Sequence, residues 1–242
     1  MKTLVVGGSS GIGLSIVLNL LEKAECDGVY VVDKAPFPEI YADNRVLYIP
    51  CDLSVGDYSC LKVANDIQAL YITAGFGHLK FFQELTEGYI QSSFSVNAVA
   101  PIQIIRHYYD RILSGDDFHC AVMVSIAGRL SSPLFSIYSA TKAALSKFIE
   151  AVNVELDVQG SKNRILEVSP GSLKGTAFSG GPSKPELTAA LADEIVSRAM
   201  RHEELYIPQY DEVFKSVIDR YETDAHKFGV ESFWYKKKRL EQ

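Results

Sequence analysis

The chain has 242 residues, of which 47% are apolar and 22% charged, and its formal net charge is -6. This is the composition of an ordinary globular protein with one substantial core, and the acidic balance argues against a surface that gathers nucleic-acid phosphates, which takes clustered Lys and Arg. No run approaches the roughly 18 apolar residues of a membrane span, and the N-terminus has no signal-peptide pattern, so a cytoplasmic location without membrane or nucleic-acid partners is expected.

Short β-branched runs alternate with longer helical patterns, the mark of βαβ units and a parallel sheet. The first strand, Thr3 to Val6, runs into "GGSSGIG", Gly7 to Gly13, with a helix behind it. A glycine-rich turn there lets backbone approach a pyrophosphate, and the helix start offers unpaired N–H groups with a partial positive charge. The turn reads as a dinucleotide cradle of Gly7, Ser9, Ser10, Gly11, Ile12 and Gly13, with the glycine spacing GxxxGxG. The second strand, Val29 to Asp33, ends in a carboxylate twenty residues beyond Gly13. Placed there, it accepts hydrogen bonds from the adenosine ribose and repels a 2'-phosphate, which favours NAD. The adjacent Lys34 could neutralise such a phosphate and leaves NADP open.

Further strands are expected at Val46 to Pro50, Ala69 to Thr73, His119 to Ser125, Ile165 to Ser169 and Leu205 to Pro208, and helical patterns span Val96 to Leu113 and Ala140 to Leu156. Gly175 to Pro185, rich in Gly, Ser and Pro, reads as a surface loop over a site. The basic run from Lys236 to Arg239 reads as a solvated helix end. The expected α/β fold is a doubly wound parallel sheet of about seven strands with helices on both faces, a Rossmann fold. One domain over residues 1–242 is expected to carry both the cofactor and the substrate sites.

Two spacings carry chemistry. Tyr138 and Lys142 are four apart, so a helix sets them on one face. A phenol of pKa about 10 must come down to about 7 to serve as a base at neutral pH, at a cost of roughly 4 kcal/mol. An ammonium about 4 Å away, at an effective dielectric of about 20, supplies that amount. Pro101, four residues beyond Asn97, has no N–H to offer the Asn97 carbonyl and bends its helix. Ser125 closes a strand at the edge where a parallel sheet opens into its crevice.

With these residues the sequence resembles the short form of the short-chain dehydrogenase/reductase family over nearly its whole length. "VGGSSGIG" stands for TGxxxGxG, with Val6 replacing Thr, and "ITAG" stands for NNAG without either asparagine. "CDLS", "FSVNAVAP", "VSIAG", "YSATK" and "PGSLKGT" complete the match. The resemblance implies catalytic roles for Asn97, Ser125, Tyr138 and Lys142, the last two also touching the cofactor, and a water on the Asn97 carbonyl that links Lys142 to solvent. It implies that Asp52 and Leu53 lie by the adenine, and that Ala74 and Gly75 border the cofactor. Pro170 and Gly171 would contact the nicotinamide amide, with Thr176 one residue later than usual. The missing asparagines mainly brace the sheet, which puts the local geometry after the fourth strand in question.

The implied reaction is hydride transfer between nicotinamide C4 and a carbon bearing oxygen, with Tyr138 as general acid or base. A non-catalytic NAD(P)-binding redox sensor or scaffold on the same fold is the alternative. The loops Phe76 to Lys80, Ile126 to Ile137 and Ser172 to Pro185 suit a moderately apolar alcohol or ketone, with or without an anionic group. The five histidines show no ligand spacing, so no metal is expected. Cys26, Cys51, Cys60 and Cys120 match neither a CxxC pair nor a zinc pattern and read as reduced and structural. The two helical patterns are apolar around much of their circumference, which suggests a homodimer or homotetramer, or else cover by the C-terminal Phe233, Trp234 and Tyr235.

Overall fold

A computed structural model describes residues 1–176, 178 and 182–240 of the chain. The strands β1 (Lys2–Val6), β2 (Gly28–Asp33), β3 (Val46–Pro50), β4 (Ala69–Ile72), β5 (His119–Met123), β6 (Ile165–Val168) and β7 (Leu205–Tyr206) are all parallel, in the order β3-β2-β1-β4-β5-β6-β7. The expected strands are all present, with the later ones ending one or two residues early. Thr73 and Ala74 both donate their N–H to the Val6 carbonyl, at 2.8 and 3.1 Å, and this shared acceptor ends the ladder of β4.

The helices are α1 (Gly11–Leu21), α2 (Glu87–Phe94), α3 (Ala100–Leu113), α4 (Ser136–Val158), α5 (Ala189–Met200), α6 (Lys215–Thr223) and α7 (Ala225–Leu240). Side chains alternate along each strand, so both faces of the sheet are apolar. Leu4, Val6, Ile72 and Val122 pack with Ile104, Ile105, Leu145 and Ile149 of α3 and α4. Val5, Val31, Tyr71 and Ala121 pack with Ile16, Val17, Ile195 and Val196 of α1 and α5. Strand order reverses between β1 and β4, so the chain leaves these neighbours in opposite directions and opens a crevice at their carboxyl ends.

Between α2 and α3, residues Ser95–Val99 form a wide π turn in which the Ala100 N–H reaches back to the Ser95 carbonyl. Pro101, lacking an N–H, is the sequence cause of this widening. Both α6 and α7 follow β7 and lie across the β5–α4 loop. Phe233 meets Phe81 edge-on at 6.0 Å, and Lys236 donates to Ser132 Oγ at 2.6 Å and to the Pro133 carbonyl at 3.3 Å. Lys236 is therefore not part of a solvated helix end, because the loop draws it down. Phe233 does not cover α4 either, whose Val154 and Val158 are 60% and 80% exposed.

Two clusters escaped the sequence reading. The thiols of Cys51 and Cys60 lie 3.0 Å apart, although both cysteines are free. At the amino end of the sheet, opposite the crevice, the ligand atoms of Asp117, His119 and His202 lie within 4.8 Å of one another, and His202 Nε2 is 2.8 Å from Asp117 Oδ1. Among the described residues, no helix is long and apolar enough to cross a membrane.

Candidate active site

The β1–α1 turn is shaped by contacts that admit no side chain. Gly7 has a left-handed φ of 85°, and a Cβ on Gly13 would stand 2.1 Å from the Gly7 carbonyl oxygen. The bare backbone at this helix start is the cradle a pyrophosphate requires, so the residues present fit a dinucleotide. Ser10 is the residue before α1 and is exposed, and its carbonyl takes the first helical bond from Leu14. The Gly11 N–H donates to Ser183 Oγ at 2.7 Å. Ile12 is half-buried beside it.

Asp33 closes β2 next to this turn. Its Oδ2 accepts the Ser9 N–H and its Oδ1 the Ala35 N–H, both at 3.0 Å, while Ser9 Oγ donates to the Ala35 carbonyl. The carboxylate is thus fixed in place with lone pairs to spare. After β3, Asp52 Oδ1 accepts the Ser54 N–H and hydroxyl, bonds that hold its carboxyl below the usual carboxylate range, and Leu53 is buried. The brace missing from "ITAG" is supplied by Thr73, whose hydroxyl reaches the Val6 carbonyl at 3.0 Å and the Gly7 carbonyl at 3.2 Å. Ala74 and Gly75 follow directly.

Asn97, Ser125, Tyr138 and Lys142 converge at the same end of the sheet. From the π turn, Asn97 Oδ1 accepts the Phe76 N–H at 2.9 Å and Nδ2 donates to the Phe76 carbonyl at 2.8 Å, so the side chain holds the loop after Gly75. Asn97 Oδ1 and Lys142 Nζ each lie 3.3 Å from where a Cβ on Gly75 would stand. Ser125 Oγ accepts the Ala127 N–H and faces the Pro170 carbonyl at 3.4 Å. The Tyr138 ring lies against Gly77 and is flanked by Phe135 at 5.4 Å and Phe178 at 5.1 Å.

The helix does set Tyr138 and Lys142 on one face, with the ammonium 5.8 Å from the ring centroid. Their electrostatics differ from the expectation. Lys142 Nζ donates to the Met123 carbonyl at 2.8 Å, at the end of β5. Burial pushes the Tyr138 phenol up to about 12, opposed only by its hydrogen bond with Ser125, and pushes the Lys142 amine down to about 8. Desolvation outweighs the attraction of an amine that is bound elsewhere.

Pro170 and Gly171 follow β6, where the Pro170 carbonyl accepts the Ile126 N–H at 3.0 Å and the Phe214 ring packs against Gly171. The side chain of Thr176 approaches Gly11, and its hydroxyl donates to the Leu173 carbonyl at 3.3 Å. Below these loops lies a buried carboxylate that the sequence did not mark. Glu167 accepts from Arg129 at 2.7 Å, from Ser146 at 2.8 Å and from Ser169 at 2.7 Å.

Residues 2–185 match the family model described as short chain dehydrogenase. The chain belongs to this family. The uncharacterized oxidoreductase TDA5 of Saccharomyces cerevisiae is 27% identical over 213 residues, which cover 84% of this short-chain dehydrogenase chain but only 65% of the yeast protein's length. In fold, the chain is similar to a short-chain dehydrogenase from Streptomyces avermitilis, with a TM-score of 0.75 at 21% identity, covering 100% of this chain and 99% of that one. It is equally similar to a short chain dehydrogenase/reductase from Burkholderia phymatum solved in complex with NAD, with a TM-score of 0.75 at 16% identity and coverage of 92% and 93%. The family model ends before α5, so α6 and α7, which border the candidate site, lie outside the matched residues.

Proposed function

We propose that this short-chain dehydrogenase is an oxidoreductase that moves a hydride between a nicotinamide cofactor and a small alcohol or ketone. The observation that carries the reading is the convergence of Tyr138, Lys142 and Asn97 on the loop Gly75 to Gly77, with Ser125 hydrogen-bonded to Tyr138, beside a glycine turn that leaves backbone bare. A related fold holds NAD in the Burkholderia phymatum protein. Gly7, Ser9, Ser10, Gly11, Ile12 and Gly13 would hold the pyrophosphate, Asp33 the adenosine ribose, Asp52 and Leu53 the adenine, and Ala74, Gly75, Pro170, Gly171 and Thr176 the remainder as far as the nicotinamide. The fixed carboxylate of Asp33 favours NAD over NADP, since a 2'-phosphate would meet its charge.

When bound, the nicotinamide supplies or accepts the hydride. The chain's own task is the proton. A phenol held near 12 is protonated at neutral pH, so Tyr138 is set to donate to a developing alkoxide in reduction and would recover that proton in the reverse direction. Ser125 orients the substrate oxygen beside Tyr138, while Asn97 fixes the loop that carries Gly75 and Gly77. The exposed Val154 and Val158 face of α4 would pair with a second copy, a point that light scattering tests directly.

The test is a titration with NADH and NADPH followed by a turnover screen of ketones and aldehydes. Tyr138→Phe is expected to slow turnover by roughly 10²- to 10⁴-fold with the dissociation constant for NADH unchanged. Failure of the wild-type chain to bind either cofactor, or full turnover by the variant, overturns the reading.

A further inference from the structure

Among the described residues, two lysines are shifted by burial alone, with no carboxylate close enough to compensate: the buried Lys142 and the part-buried Lys236. The scarcity is notable in a chain with 30 acidic and 24 basic residues. Burying an ammonium without a counter-charge is costly unless something else supplies the anion. Lys142 belongs to the family motif, but Lys236 comes from α7, beyond the residues the family model matches.

The position of Lys236 connects it to the candidate site. Its acceptors, Ser132 Oγ and the Pro133 carbonyl, are neutral and directly precede Leu134 and Phe135. Leu134 has a left-handed φ of 65°, a costly conformation for a leucine, and its carbonyl ties down the Lys80 N–H at 2.9 Å. Phe135 touches both ends of the arrangement, with its centroid 6.0 Å from Lys236 Nζ and 5.4 Å from the Tyr138 ring.

We infer that Lys236 is a specificity residue for an anionic substrate, one whose phosphate or carboxylate lies several bonds from the carbon that exchanges hydride. This rests on the oxidoreductase reading for the reacting end, whereas the anion contact stands on a part-buried ammonium whose two acceptors are neutral and which lies beside Phe135. The anion would replace or join Ser132 on the amine. The aromatic wall of Phe135 and Phe178 would cover the carbon chain between the two ends.

Trp234, the chain's one tryptophan, lies two residues from Lys236 on the same helix and reports on this corner without turnover. Inorganic phosphate and succinate, titrated separately at constant ionic strength, are expected to change its fluorescence saturably in the wild-type chain and not in Lys236→Met, and the two arms rank phosphate against carboxylate. In a reduction screen of matched ketones, neutral, carboxylated and phosphorylated, an anionic member is expected to exceed the neutral one in kcat/KM by roughly 10-fold or more. Lys236→Met removes that advantage through KM and spares the neutral ketone, and Lys236→Arg restores part of it. No saturable response to either anion in the wild-type chain overturns the inference, as does equal loss on neutral and anionic ketones. If neither cofactor binds while the fluorescence response persists, the oxidoreductase reading fails and the anion site stands.

Discussion

Arg129 donates to Glu167 through Nε at 3.2 Å and Nη2 at 2.7 Å, tying the loop after Ser125 to β6. Glu167 is 3% exposed and its other oxygen accepts from Ser146 of α4. Removing the carboxylate strands the Ser146 and Ser169 hydroxyls in the interior and leaves the part-exposed Arg129 guanidinium unpaired. Glu167→Ala is expected to destabilise the fold by about 3–5 kcal/mol, and Glu167→Gln by less because an acceptor oxygen remains. Denaturant midpoints of the two variants check the order.

Asp33, proposed to meet the adenosine ribose, has a carboxylate that two backbone amides hold still. Asp33→Ala deletes a charged acceptor worth about 1.5–3 kcal/mol to the ribose, so NADH binding should weaken by roughly 10- to 100-fold. NADPH, relieved of repulsion and with Lys34 next door, should weaken less or tighten. Fluorescence titration with both cofactors reads the change in ratio.

Thr73 carries the bracing that two asparagines carry elsewhere in the family. Thr73→Val keeps the shape and loses the hydroxyl bonds to the Val6 and Gly7 carbonyls. The expected cost is about 1 kcal/mol in stability, with weaker cofactor binding because the Gly7 turn loosens. Thr73→Ser, which keeps the hydroxyl, should recover most of the binding.

The buried Lys142 and the part-buried Lys236 set a pH signature. Their folded pKa values lie near 8, below the usual 10.5, so between these limits the unfolded chain binds more protons than the folded one. Stability from this source therefore rises with pH from about 8. Above 10 the trend reverses, because burial holds the Tyr71, Tyr108 and Tyr138 phenols above their ordinary value and the unfolded chain ionises first. Lys236→Met should be more stable than wild type at pH 7 by about 1 kcal/mol after allowance for solvent screening, with the gap closing as the pH approaches 10.5. Thermal melts across this range test the slope.

Cys51 and Cys60 bracket the turn that contains Asp52 and Leu53. Oxidised glutathione is expected to accept their two electrons, releasing two glutathione thiols and leaving a Cys51–Cys60 disulfide, while the buried Cys26 and Cys120 stay free. Burial and the neighbouring Cys60 push the Cys51 thiol up, so the exchange should quicken as the pH rises. Intact mass should fall by two hydrogens. The short loop so closed should add about 2–3 kcal/mol of stability, and Cys60→Ser should lose both effects.

The inner strands were legible because they are short apolar runs buried on two faces, and the half-exposed edge strands β3 and β7 because they too are short apolar runs, a pattern needing no knowledge of distant partners. Pro101 likewise announced the irregular turn at Asn97 through its missing N–H. Thr73, Glu167 and Lys236 were not legible, since each matters through atoms brought close only by folding. The separation of nine positions between Cys51 and Cys60 fits no familiar motif, yet the turn after β3 folds one onto the other. The Tyr138 and Lys142 spacing gave their shared face correctly, but not their charges, which depend on how completely the neighbouring rings and β5 exclude water.

On the proposed reading, the hydrogen bond from the Gly11 amide to Ser183 would make nucleotide capture a swap of partners. A donor that would otherwise be left dry is kept satisfied by a neutral hydroxyl until a charged oxygen arrives to claim it. The consequence is that binding at this turn would be a competition, in which the Ser183 hydroxyl must leave before a phosphate oxygen takes the amide.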